Sequence, residues 1–159
     1  MSGAIVWSEG MFIAPQHFQH FDISLQRYVN EVAQLSLDAG DFGVSELELN
    51  TDVLDVGKFA VRHAAGILPD RLFFRLAKEV VMDIPDGLVD EVVHLAVPLA
   101  ITGAAQFGED GDTARMIKTR RELRDINDPE NDPVETELAE VGVSLKLGSS
   151  DLSGFATIP

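Results

Sequence analysis

The chain has 159 residues and a mass of 17.3 kDa, the size of one domain. Its 27 Asp and Glu against 12 Lys and Arg give a formal charge of -15, which argues against nucleic acid and against an anionic membrane surface, since both need a basic face. The lack of cysteine excludes disulfides, thiolate metal sites and a Cys nucleophile, and the 45% hydrophobic fraction is that of a folded domain rather than an acidic disordered tail.

The chain opens on MSGAIVWSEG, with neither a basic leader nor the apolar core of a signal peptide. No run approaches the roughly 20 apolar residues of a membrane span, so direct membrane insertion is not expected and the expected location is cytoplasmic. Ile5, Val6, Trp7, Met11, Phe12, Ile13 and Phe18 crowd into fourteen residues. Two readings stay open for them. They close a core, or they form a docking surface, where aromatic residues and Met are enriched.

Pro15 suits a first helical position. Phe18, Phe21, Leu25, Tyr28, Val32 and Leu35 then recur at spacings of three and four, one apolar stripe of a helix over 15–38 that stops at Gly40. The stripe is expected to pack, on the chain's own sheet or on a partner subunit.

After Gly40 the period changes to two. Leu47 and Leu49 share a face opposite Glu46 and Glu48, and Phe59 and Val61 alternate with Lys58, Ala60 and Arg62. Pro69-Asp70 marks a hairpin between 59–68 and 72–77, and Pro85-Asp86-Gly87 precedes a strand over 92–99. Residues 115–124 hold five basic residues and one acid, and the alternation of Ile117, Thr119 and Arg121 favours strand over helix. Residues 125–140 hold seven acids and no base, which reads as a solvated loop whose last part, from Pro133, leads towards the next strand. That strand is set by Val141, Val143, Leu145 and Leu147. Turns near Asp70, Gly87, Gly108, Asn127 and Gly148 give the rhythm of an antiparallel sandwich or barrel over 43–159, with no βαβ pattern. The apolar end Phe155–Pro159 reads as a strand entering a core, and the chain is expected to be part of a longer protein.

Chemistry finds little support. His17 and His20 have chelating spacing but no third ligand, so both are expected as surface or interface residues. His63 and His94 are expected as hydrogen-bonded packing residues. Asp128, Glu130 and Asp132 alternate as in a calcium loop, yet Pro133 stands where that loop needs Gly. Residues 107–112 read as a turn. With no phosphate-binding glycine loop, no G-x-S-x-G and no base placed beside Ser8 or Ser45, no enzyme, metal or cofactor is expected.

One long motif is more specific. Trp7-Ser-Glu-Gly-Met-Phe-Ile-Ala-Pro-Gln-His-Phe-Gln19 resembles the opening of the TssK family, baseplate subunits of the bacterial type VI secretion system, departing from it at Ile13, Ala14 and His20-Phe21. The segments 43–49, 57–62, 66–70, 124–127 and 151–159 extend the resemblance over essentially the whole chain. The resemblance implies a single N-terminal shell domain over 1–159, a β-sandwich like the shoulder domain of siphophage receptor-binding proteins. Residues 1–14 would be the apolar docking segment, and the family's helical middle domain and C-terminal domain would lie outside this chain. It further implies a homotrimeric connector that attaches to a wedge of TssF and TssG, with TssE, and reaches the membrane complex at the cytoplasmic side of the inner membrane through the other domains. Trp7, Met11, Phe12, Pro15, His17 and Phe18 would build or border the wedge contact. The rival is a phage-type receptor-binding or glycan-binding sandwich, against which stands the single Trp and single Tyr available to stack on a sugar.

Overall fold

The computed structural model describes residues 5–36, 38, 40–101, 106–109, 113–128 and 130–159, apart from the side chain of residue 34. The chain divides into two compact units, Met1–Phe42 and Gly43–Pro159.

In the first unit, helix α1 runs Pro15–Ser36, as the apolar stripe predicts. Ahead of it a tight turn joins the Met11 N–H to the Ser8 carbonyl at 3.3 Å. Gly10 takes φ +78 there, a conformation glycine adopts without penalty.

The second unit is mainly antiparallel β-structure. Strands β1 (Gly43–Asn50), β2 (Lys58–Ile67), β3 (Phe73–Arg75) and β4 (Val80–Asp83) form one sheet around β2. The expected hairpin is present, with β3 pairing the end of β2 from Ala65↔Arg75 to Ile67↔Phe73. β4 pairs the start of β2 on the same side, and β1 flanks its other edge. A 3-10 helix, Thr51–Val56, connects β1 to β2. The Asn50 side chain caps its start, accepting from the Asp52 N–H at 3.2 Å, and Gly57 ends it in the left-handed region at φ +73.

A second sheet has the order β10 (Phe155–Ile158), β5 (Val93–Pro98), β9 (Ser144–Leu147). The two sheets share a core. Val61, Leu68, Phe74 and Leu76 of the first meet Leu95, Val97, Ala156 and Ile158 of the second, which makes the unit a sandwich. Each large side chain so buried contributes about 1.5–3 kcal/mol.

The third sheet joins β6 (Phe107–Gly108), β7 (Met116–Leu123) and β8 (Val134–Val141). Residues 116–123 are thus strand, as expected for the stretch 115–124. Four local expectations change. Phe107 and Gly108 are not a turn but a short strand, and β6 lies parallel to β7; the rest of the proposed turn, 110–112, lies outside the described residues. The later part of the acidic run is not a loop but β8, with Arg120↔Glu137 in register against β7. Arg120 approaches Glu135 and Glu137, each at 3.5 Å, and Arg121 pairs with Glu140. Glu135 and Glu137 share one face of β8, and Arg120, opposite Glu137, reaches both, while Glu135 itself stands opposite Glu122. The run 141–147 is not one strand, since Val141 ends β8 and β9 starts at Ser144 in a different sheet. Gly142 makes the switch where a Cβ would stand 2.1 Å from the Ala114 carbonyl oxygen. Finally, Ala60 is buried although alternation puts it on the solvent side, and the β1–β2 ladder shifts register twice, with an extra residue in β1 at Ser45 and one in β2 at Arg62.

A candidate protein interface at the N-terminal segment and helix

Helix α1 starts with a side-chain cap from His17. Ala14 is the N-cap, and its carbonyl accepts from the His17 N–H at 3.0 Å. The His17 Nδ1 reaches back and accepts from the Ala14 N–H at 3.0 Å. This is the return half of a capping box, with an imidazole in place of the usual Glu or Gln, and the alanine N-cap has no side-chain acceptor to supply the other half. Pro15 follows at the first helical position, where its missing N–H costs nothing.

That cap fixes the direction of the preceding segment. The Trp7 ring lies 6.3 Å from the His17 ring and 6.1 Å from the Phe18 ring, tilted to both. Trp7, His17 and Phe18 therefore form one aromatic cluster. Met11 is half-buried, and Pro15 is exposed at the helix start. Phe12 stands apart at 96% exposure. Of the six residues singled out by sequence, three are brought into ring contact and Phe12 is presented to solvent. Residues 1–4 of the docking segment lie outside the described residues.

The apolar display is wider than those six. Trp7 is 48% exposed, and Phe18, Phe21, Leu25, Tyr28, Val29 and Val32 are all exposed in the single chain, as is Leu35 at 90%. Leu25, Tyr28, Val32 and Leu35 were expected to pack, yet their face is open in the single chain. A contiguous apolar face of this kind is a candidate interaction site. The signal for it was present in the spacing of the stripe, but spacing cannot say what covers a face.

The histidines divide. His63 meets Glu46 at 2.7 Å, beside Arg75, and is hydrogen-bonded as expected. His94 corrects its expectation: its Nδ1 is buried with no hydrogen-bond partner among the described residues. Sequence also missed Asp70–Arg115, paired at 2.7 Å with both side chains largely buried. Turn chemistry marked Asp70, but nothing in the sequence links it to a residue 45 positions away.

Among the described residues, no helix is long and apolar enough to cross a membrane, and no group of three His, Asp or Glu is placed to hold a metal ion.

Known proteins match this architecture. The family model described as bacterial type VI secretion, VC_A0110, EvfL, ImpJ, VasE matches residues 17–159. The type VI secretion system baseplate component TssK1 of Pseudomonas aeruginosa is 38% identical over 130 residues, which is 77% of this chain and 29% of the relative. The chain thus spans under a third of that relative's length. A crystal structure of TssK superposes with a TM-score of 0.86 at 26% identity, over 99% of this chain and 37% of the other. The TssK–TssF–TssG baseplate subcomplex gives 0.82 at 18% identity, over 99% and 54%, a likeness of fold alone. The resemblance carried by the opening motif and its companions is borne out, and the chain belongs to the TssK family of bacterial type VI secretion proteins.

Proposed function

We propose that this chain is the shell portion of a baseplate subunit, attaching through its N-terminal segment and α1 to a wedge of TssF and TssG. The role is architectural: a connector between baseplate and membrane complex, with no chemical step. The observation that carries it is the open apolar face, with Trp7 clustered on His17 and Phe18 and with Phe12 separately presented to solvent. The solved TssK–TssF–TssG subcomplex, which contains a chain of the same fold, supports the choice of partners. Trp7, Met11, Phe12, Pro15, His17 and Phe18 are the contact residues in this reading, and the α1 stripe adds contacts within a homotrimer. The subunit works at the cytoplasmic side of the inner membrane, and the docking onto the membrane complex belongs to parts of the protein other than this one.

The test is a pull-down of a TssF–TssG complex by the chain carrying Trp7→Ala with Phe12→Ala. Exposed aromatic anchors of this kind are expected to cost tenfold or more in retention, about 1.4 kcal/mol at least. Undiminished retention by a normally folded variant would sink the docking role.

A further inference from the structure

The second unit holds a cleft of about 410 Å³ where its sheets meet. That is within the range of ligand-binding sites. Its apolar lining includes Val80, Ile117 and Val143. Lys78, Lys118 and Lys146 line it too, and these are three of only four lysines in the chain. Among the described residues one acid, Glu140, lines the cleft, and it is paired with Arg121. In a chain with 27 acids and 12 basic residues, three lysines against one acid among the described lining residues run against the overall field.

We propose that this cleft is a docking site for an extended acidic peptide segment of a partner protein, with an apolar side chain on the cleft wall and carboxylates meeting the lysines. Charge complementarity selects the ligand's sign. Two features select an extended segment over a small free anion. The lining joins apolar side chains to ammonium groups, which a small free carboxylate would not use. The strands β4 and β9 that contribute Val80, Ser144 and Lys146 are edge strands, the elements against which extended peptides lie. Lys146 is held in place, its Nζ 4.3 Å from the centre of the Phe155 ring, so less freedom is lost on binding. Lys118 bonds Glu109 at 3.0 Å, an exposed pair that an incoming carboxylate can share or replace at small cost.

The site goes beyond the attachment reading and shares no residue with the N-terminal segment, so either can fail without the other. The experiment titrates the isotope-labelled chain with a peptide of alternating Glu and Val, followed by amide chemical shifts and by anisotropy of the labelled peptide. Saturable shifts centred on Lys78, Lys118, Ser144 and Lys146 are expected, weakened by added salt. A peptide of alternating Ser and Val should bind far more weakly. Lys78→Glu with Lys146→Glu should lower affinity about tenfold. Free glutamate giving the same saturable shifts would reassign the cleft to small anions and overturn the peptide. Absence of saturable cleft shifts up to millimolar peptide, or equal binding of the Ser–Val peptide, would overturn the site.

Discussion

Glu46 shows how one side chain gathers the charges of three strands. It sits on β1 and bonds Arg75 of β3 at 3.0 and 3.2 Å and His63 of β2 at 2.7 Å. The Arg75 hydrogen bond, then the His63 bond and the Arg75 charge, lower its carboxyl from 4.5 to about 2. A carboxyl lowered by folding favours the folded state above its ordinary range, and that contribution fades as pH falls from about 4.5 to about 2. Contact with solvent keeps the effect on stability small. Arg75→Ala should move the Glu46 midpoint upward towards 4.5, read from its carboxyl carbon shift across an acid titration. An unchanged midpoint would remove Arg75 as the main cause. Alternation placed Glu46 and Glu48 on one face, but the charges across from them depend on strand pairing, which no local pattern fixes.

At the scale of elements, α1 depends on its first turn. The His17 ring both accepts the Ala14 N–H and packs on Trp7. His17→Ala should fray the start of the helix, at a cost of about 0.5–2 kcal/mol, seen as faster amide exchange over the first turn and a smaller far-UV helical signal. His17→Gln supplies an acceptor of suitable reach and should recover the exchange protection but not the ring contact. If Ala and Gln behave alike, the cap is not what holds this turn. Pro15 and the stripe were enough to place the helix, because its start chemistry and its period are local. The capping role of His17 was not foreseen, since histidine seldom fills that position. The acidic run misled for the opposite reason: seven acids look like loop, yet the last three, Glu135, Glu137 and Glu140, lie on β8 with Arg120 and Arg121 beside them on β7.

At the scale of the molecule, one tie links all three sheets of the second unit. Arg115, just before β7, pairs with Asp70 in the β2–β3 turn and donates from Nη1 to the Pro98 carbonyl at the end of β5. Its side chain is only 13% exposed, unlike the rim pair Lys58–Asp83 at 45% and 84%. Arg115→Ala should therefore cost about 1–3 kcal/mol in urea unfolding, because a shielded carboxylate and carbonyl lose a charged partner. Lys58→Ala should fall within about 1 kcal/mol of the parent. Equal losses from the two variants would deny the tie its place in the core.

The sequence by itself determined the period of each element, most of the turns and the long opening motif that carries the family resemblance. These are contained in neighbouring residues, whose spacing sets helix or strand and whose Gly, Pro and Asn set the breaks. Only the tertiary structure decided that 141–147 changes sheets at Gly142, that the later part of the acidic run forms a strand against a basic one, and that three of four lysines line one cleft. Each depends on pairing between distant strands, where register and close backbone approach select the partner. The charge of -15 set the sign of the whole field, but the positive hollow within it is a product of folding.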